Sequence, residues 1–355
     1  MRVRNFTLWL LLVTIAATAM ADTDSLPRLR TFQGENDSLV PDGSDDSYTN
    51  GLRYSEMVSL NDGTPTGFAW ARTIEQLWCG GRDFKGLGLC DPDESRLIFA
   101  GWSIGQSIYT PNSISEPIPD PEDRPYAGYL YGSAIVDIVD ERRRCKRWNL
   151  EGRVGVIGSA GLGEIVQTKV HRLIDDERPM GWDSQLRNEL TVNLNALWQG
   201  SVLRLGNRDD ESCGHEGTYF DVVPHAGVMV GTVMTGAVAG GTFRLGYNIT
   251  GLPILPIGNT ALAPAEPPDF EIWLFGGVEG RALARNIFLD GNTFVDSASV
   301  DKETFVYDLR AGLSLRLKDV TVTYTYVRRS EEFNARTGLE DIHEYGSLSV
   351  QWTFP

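Results

Sequence analysis

Histidine and cysteine are both scarce in this 355-residue chain, with four of each. The shortage of histidine narrows the search for a neutral-pH base to His171, His215, His225 and His343. The cysteines Cys79, Cys90, Cys145 and Cys213 form no C-x-x-C pair, which weighs against a thiolate metal cluster. Beyond the N-terminal segment, no stretch approaches the ~18 consecutive apolar residues of a membrane-spanning helix, which excludes an α-helical membrane protein. Basic residues are outnumbered, 32 Lys and Arg against 48 Asp and Glu, for a formal net charge of −16. With no basic stripe to displace counterions, nucleic acid is excluded as a partner. An acidic surface suits a place rich in divalent cations. Low-complexity segments, linkers and repeats longer than a hairpin are also missing.

What is present begins with an export signal. Arg2 and Arg4 precede the apolar run Leu8–Ala17, and Ala19-Met20-Ala21 reads as a cleavage site. Residues 1–21 are therefore expected to be a signal peptide and residues 22–355 a single mature domain, about two charge units more acidic than the precursor. An exported chain matures in an oxidising compartment, where disulfides are plausible.

The mature chain alternates. Tyr307, Leu309, Ala311, Leu313, Leu315 and Leu317 alternate with Asp308, Arg310, Gly312, Ser314, Arg316 and Lys318. Val320, Val322, Tyr324 and Tyr326 alternate with threonines, and Leu348, Val350, Trp352 and Phe354 with polar residues. Side chains of a strand point to opposite faces in turn, so each segment has one apolar and one polar face. Twelve such segments begin near residues 29, 49, 95, 126, 147, 189, 217, 235, 270, 302, 319 and 342. A soluble β-sandwich would show the same alternation. The even number, the segment length and the terminal strand carrying Trp352 and Phe354 favour an all-β, 12-stranded antiparallel transmembrane β-barrel. Placing both termini in the periplasm makes residues 36–48, 109–125, 158–188, 284–301 and 331–341 external, with a tight turn near 234. Residues 61–94, 140–146, 199–216 and 249–269 become periplasmic, with a turn near 318. All four cysteines then share one side, where the pairs Cys79–Cys90 and Cys145–Cys213 are expected.

One external segment breaks the alternation. In and just before EIVQTKVHRLIDDE (164–177), Leu162, Ile165, Val166, Val170, Leu173 and Ile174 recur at helical spacing, so a short helix is expected to bury that stripe against the barrel rim. Glu164, Gln167 and His171 share the adjoining face. A second external cluster, Asn36, Asp37, Asp45, Asp46 and Thr49, offers oxygen ligands suited to a hard cation such as Ca²⁺, though without EF-hand spacing. The GWSIG match to a nucleophile elbow puts Ser103 inside a strand-like run, whereas that motif needs a strand–turn–helix setting. His215, His225 and His343 have no acidic partner at motif spacing and read as structural. DGNTF (290–294) reads as an external turn.

END (35–37), YTNGL (48–52), SIYTP (107–111), DRPYAG (123–128), VGVIG…GEIVQTKVHRLI (154–174) and GWDSQL (181–186) occur in one order through nearly the whole mature chain. Together they resemble the lipid A 3'-O-deacylase (LpxR-type) family of Gram-negative outer membranes. The resemblance implies a twelve-stranded outer-membrane barrel whose site lies between its outer rim and an external-loop helix. It implies a Ca²⁺-dependent esterase, similar in mechanism to secreted phospholipase A2, that removes the 3'-linked acyloxyacyl group of lipid A in the outer leaflet. Carried over by position, His171 becomes the base that activates water; Asn36, Thr49 and Gln167 orient the reacting groups; Asp37 and Glu177 hold the metal. Asp175, Asp176 and Glu189 are neighbouring alternatives to Glu177. Lys169, Arg172 and Arg178 could meet the glucosamine phosphates of lipopolysaccharide, and a monomer is expected. The sequence departs from the pattern after Tyr109-Thr110-Pro111, where some members carry a functional lysine and this chain has none; Arg124 is the nearest cation. The competing readings are a barrel phospholipase with a Ser-His pair and a non-enzymatic, porin-like barrel.

Overall fold

The computed structural model describes residues 28–40, 47–60, 66–80, 86–90, 96–140, 146–175, 177–206, 217–253, 268–334 and 342–354. Residues 1–27, Asp45, Asp46, Cys145, Asp176, Cys213 and His215 lie outside them, and with them the signal peptide and one expected disulfide.

Twelve long strands form one wall: β1 (Arg28–Asn36), β2 (Ser47–Ser59), β3 (Arg96–Thr110), β4 (Ala127–Asp140), β5 (Lys146–Ile157), β6 (Glu189–Gly200), β8 (Phe220–Gly231), β9 (Met234–Tyr247), β10 (Phe270–Asn286), β11 (Phe305–Leu317), β12 (Val320–Arg329) and β13 (His343–Phe354). Each begins within three residues of its expected start. Sequential strands pair antiparallel, β6 pairs β8, and β1 pairs β13, so the sheet closes and leaves no edge. A thirteenth strand, β7 (Leu203–Leu205), pairs only with the first residues of β8. At three residues it is too short to show a period, and the sequence reading missed it.

Alternation sorts the two faces. On β6, Leu190, Val192 and Leu194 are exposed while Glu189, Thr191 and Asn193 are buried; β11 repeats this with Leu309 and Leu313 outside and Asp308, Arg310 and Ser314 inside. The interior is a ladder of ion pairs. Arg147–Asp137 and Arg53–Glu151 sit at 3.0 and 2.9 Å, Arg244–Asp221 is equally buried, and Arg281 and Arg329 both grip Asp308 at 2.6 and 2.9 Å. Removing one partner of such a pair costs ~3–5 kcal/mol, because the other charge is left buried. His225, expected to lack an acidic partner, meets Glu279 in the interior at 3.0 Å.

Tyr48, Tyr109, Tyr129, Tyr345 and Phe288 cluster in the upper lumen, with Tyr109 stacked on Phe288 at 4.0 Å between centroids. Arg124 braces this mouth. It reaches from the β3–β4 loop to Glu332 on the β12–β13 loop (3.0 Å) and lies over the Tyr109 and Phe333 rings. Arg124 is therefore committed to a brace across the barrel. The same aromatic rings help to line a cavity of about 150 Å³, whose polar lining includes Glu151, Arg153, Asn193 and Arg281.

Two helices flank the wall. Helix α1 (Ala69–Cys79) follows β2 at the end that also holds both chain ends. Trp70, Ile74 and Trp78, spaced at i, i+4 and i+8, pack with Val58, Ile98, Val136 and Leu150. Those strand residues share the outward register of Trp102 and Val154, so α1 lies on the outside of the barrel. The expected Cys79–Cys90 disulfide closes the segment behind it. Helix α2 (Gly163–Ile174) sits at the opposite end, in the β5–β6 connection. A single-turn helix, α3 (Ile287–Asp290), carries Phe288 into the mouth.

Candidate functional site at the outer rim

The β1–β2 hairpin, the β3–β4 loop and α2 all emerge at one end of the barrel, the end opposite the termini. Asn36 closes β1. Its Oδ1 accepts from the Ser38 amide (2.8 Å) and its Nδ2 donates to the Thr49 carbonyl (2.7 Å), which fastens the turn Asp37–Leu39 to the start of β2. Asp37 is thereby held with only 3 % of its surface exposed.

Thr49 occupies a β-bulge. The β2–β3 register jumps between Tyr48 and Asn50, so Thr49 is the extra residue. Bulges re-aim a side chain that regular pleating would send elsewhere. Here the Thr49 hydroxyl meets that of Thr110 at 2.6 Å, while Tyr48 keeps its place in the lumenal aromatic cluster.

Helix α2 approaches the wall through glycines. A Cβ on Gly161 would lie 2.1 Å from the Gly128 carbonyl, and one on Gly163 would lie 2.6 Å from the Trp182 ring. Gln106 Nε2 donates to the Gly161 carbonyl at 2.7 Å, tying the start of the helix to β3. Leu162 and Asp175, at the two ends of α2, adopt positive φ. For side-chain-bearing residues such backbone costs about 1 kcal/mol or more each, so the surrounding contacts must over-determine it.

The orientation of α2 corrects the sequence expectation. The inward face carries Gln167 and His171, 3 % and 4 % exposed, while Leu162, Ile165 and Leu173 are 42 %, 50 % and 60 % exposed. Polar groups face the wall, and much of the apolar stripe faces out. The His171 Nδ1 hydrogen-bonds the main-chain carbonyl of Glu177. A carbonyl only accepts, so Nδ1 carries the proton and Nε2 is the basic nitrogen of the neutral ring. Gln167 Oε1 accepts from Trp182 Nε1 at 2.9 Å, and Trp182 packs with Ile108, Ile114 and Tyr126. Ile108 is two residues before Thr110 on β3, which links the two halves of the site through one strand.

Other candidates fall out differently. The Glu177 side chain is exposed, and its main-chain carbonyl is the group that meets His171. Asp175 is exposed and caps α2 with its amide. Glu189 is held by Asn292 Nδ2 (3.1 Å) and the Thr293 amide (2.8 Å), while Asn292 also exchanges hydrogen bonds with the Arg187 main chain. DGNTF is thus a clamp on the return from α2, more than a simple turn. Lys169, Arg172 and Arg178 are exposed and make no ion pair among the described residues. Ser103 faces the lumen and pairs its hydroxyl with Ser133 at 2.6 Å, and among the described residues no histidine bonds to it. Trp182 and the bulge at Thr49 are features that single-residue reasoning missed.

Oxygen donors dominate the hairpin half of the site. Among the described residues no group of three or more His, Cys, Asp or Glu gathers at one point. A cation there would combine the Asp37 carboxylate with hydroxyl, carbonyl and water oxygens, a shell that fits Ca²⁺ better than softer metals.

Comparison with known proteins agrees with the fold. No curated protein sequence matches the chain. Among solved structures, LpxR from Salmonella typhimurium superposes with a TM-score of 0.67 at 18 % identity, covering 92 % of this chain and all of that one. The translocator domain of the autotransporter NalP from Neisseria meningitidis follows with a TM-score of 0.40 and 9 % identity, covering 99 % and 96 %. The model of the family described as outer membrane protein LpxR matches residues 6–354, and the chain belongs to that outer-membrane family.

Proposed function

We propose that this protein is a Ca²⁺-dependent lipid A 3'-O-deacylase that works as a monomer on lipopolysaccharide in the outer leaflet. The observation that carries the reading is the buried His171 imidazole, oriented through Nδ1 by the Glu177 carbonyl and set one helical turn from the buried amide of Gln167. A site on the outer side of the wall, beside an exposed apolar helix edge, suits a substrate that arrives from the bilayer.

In the reaction we infer, His171 Nε2 takes a proton from water as the oxygen attacks the ester carbonyl carbon. The tetrahedral intermediate collapses by breaking the bond to the sugar oxygen. The imidazolium returns its proton to that oxygen, so the products are a fatty acid and a free 3'-hydroxyl. Bound Ca²⁺, held by the Asp37 carboxylate with hydroxyl, carbonyl and water oxygens, would supply Lewis-acid stabilisation of the carbonyl oxygen. Asn36 fastens Asp37 and Thr49 in place, and Thr49 and Gln167 orient the reacting groups. Lys169, Arg172 and Arg178, exposed and without an ion pair among the described residues, would meet the phosphates of the glucosamine backbone.

The competing readings fare worse. A Ser-His phospholipase based on Ser103 lacks a histidine partner for that serine among the described residues, and a channel is opposed by the ion-pair ladder and the aromatic cluster inside the lumen. The test is mass spectrometry of lipid A from cells expressing the wild type or His171→Ala. Loss of one acyloxyacyl unit only with the wild type, suppressed by EDTA and restored by Ca²⁺, is expected. Identical lipid A from both strains, with each barrel folded in the membrane, would sink the proposal.

A further inference from the structure

The segment GWDSQL has no chemical role in the scheme above, yet its tryptophan touches the site directly. Trp182 Nε1 lies 2.9 Å from the side-chain amide of Gln167. An indole N–H can only donate, so the amide atom facing it must be the oxygen, whichever way the two ends of a glutamine are drawn. The amide nitrogen is then turned the other way. That nitrogen is buried and has no hydrogen-bond partner among the described residues. A buried donor without an acceptor is costly, and in native proteins such a group calls for an explanation, such as a bound ligand.

The surroundings hold the indole still. The Trp182 and Tyr126 rings sit 4.8 Å apart, and Ile108 and Ile114 complete the packing. Gly163 leaves room for the ring, since a Cβ there would come within 2.6 Å of it. The turn Trp182–Ser184 closes on itself, with Gln185 Nε2 donating to the Trp182 carbonyl at 3.0 Å and Ser184 Oγ to the Gly181 carbonyl at 2.7 Å.

We propose that Trp182 is a positioning residue that locks Gln167 as a hydrogen-bond donor, presenting its Nε2 to the ester carbonyl oxygen on which negative charge develops. The proposal rests on the ester-hydrolase reading. Gln167 and His171 are i and i+4 on α2, so an acceptor group on that face lies within reach of both the donor and the base. With its oxygen engaged by the indole, Gln167 serves the reaction through its nitrogen. A preorganised oxyanion donor typically contributes ~100- to 1,000-fold to kcat.

The experiment is steady-state deacylation of purified lipopolysaccharide by the full-length protein in detergent with Ca²⁺, for His171→Ala, Gln167→Ala, Gln167→Glu, Trp182→Phe and the double variant Trp182→Phe/Gln167→Ala. Gln167→Ala should lower kcat about 100-fold. Gln167→Glu should be as slow, because a carboxylate has no N–H to offer. Trp182→Phe keeps an aromatic ring but frees the amide to flip; kcat should fall about tenfold, with KM unchanged and no further loss in the double variant. Near-wild-type activity of Gln167→Glu overturns the donor assignment. An equal Trp182→Phe penalty with and without Gln167, or one confined to KM, makes the indole a packing residue only. If Trp182→Phe does not fold, as read by heat-modifiable gel mobility, the Gln167→Glu to Gln167→Ala comparison alone decides. Full activity of His171→Ala would instead remove the ester-hydrolase reading itself, an outcome distinct from the others.

Discussion

The barrel carries two amphipathic helices on its outer side, and they are mounted in opposite senses. Helix α1 turns Trp70, Ile74 and Trp78 onto the wall, as a helix does when its purpose is packing. Helix α2 turns Gln167 and His171 onto the wall and leaves Leu162, Ile165 and Leu173 outside. Burying polar groups against a scaffold is unfavourable unless they are hydrogen-bonded. His171 Nδ1 is bonded to the Glu177 carbonyl and Gln167 Oε1 to Trp182, which leaves the Gln167 amide nitrogen for a ligand. The contrast teaches that at the outer rim of a membrane protein the apolar side of a helix need not mark its packing face. Lipid is the other apolar phase available.

The largest expected effect separates the two helices by chemistry. His171→Ala on α2 should lower the rate of lipid A deacylation by at least ~1,000-fold, the range for loss of a general base that also positions water. Its melting temperature should stay within a few degrees of wild type. Measured rates and melts that move together would erase the distinction drawn between a packing helix and a chemical one.

A second prediction concerns what supports α2 from the lumen. Arg124 lies two residues before Tyr126, which packs Trp182, and it is anchored across the mouth by Glu332. Burial alone would raise the Glu332 carboxyl, but the Arg329, Arg124 and Arg281 guanidiniums hold it down, from 4.5 to about 2. A depressed folded-state pKa means stability that is fully present above pH ~4.5 and lost as the pH falls towards 2. Glu332→Gln should therefore cost ~3 kcal/mol at neutral pH, with the deficit shrinking through that window. Urea unfolding at several pH values checks the sign. A deficit that grows on acidification contradicts the assignment.

Much of this was legible beforehand, and the failures have a common cause. The period of two depends on each strand alone, so all twelve long strands were found near their true limits. The tight turn between Gly231 and Met234 followed from the same count. The facing of α2 depended on knowing that lipid lies beyond it, which helical spacing cannot encode. The bulge at Thr49 is a property of two strands in register. The Trp182–Gln167 bond joins residues fifteen apart through a turn held by distant contacts. The family resemblance supplied the candidate site residues; only tertiary structure says which of them hold the others in place.

On α1, Trp78→Ala should behave as the mirror of the His171 variant. It removes a half-buried ring that packs on Trp148 at 5.3 Å and costs about 2 kcal/mol or more of stability. Activity per folded molecule should be unchanged. A specific loss of activity without destabilisation would mean that the periplasmic helix communicates with the outer rim, against the division described above.

The smallest effect is the most discriminating for α2. Leu162, Ile165 and Leu173 contribute little to the protein interior, since each is close to half exposed or more. Replacing all three with serine should leave the melting temperature within a few degrees, whereas the same treatment of a buried stripe would cost ~2–5 kcal/mol per site. If the exposed edge meets acyl chains of the bilayer or the substrate, polar replacements weaken that contact by ~1 kcal/mol per side chain. KM for lipopolysaccharide in mixed micelles should then rise several-fold while kcat holds, because the proposed base His171 and Gln167 lie on the opposite face. A large drop in stability would show that the edge is packed against protein after all, and the two helices would then be mounted alike.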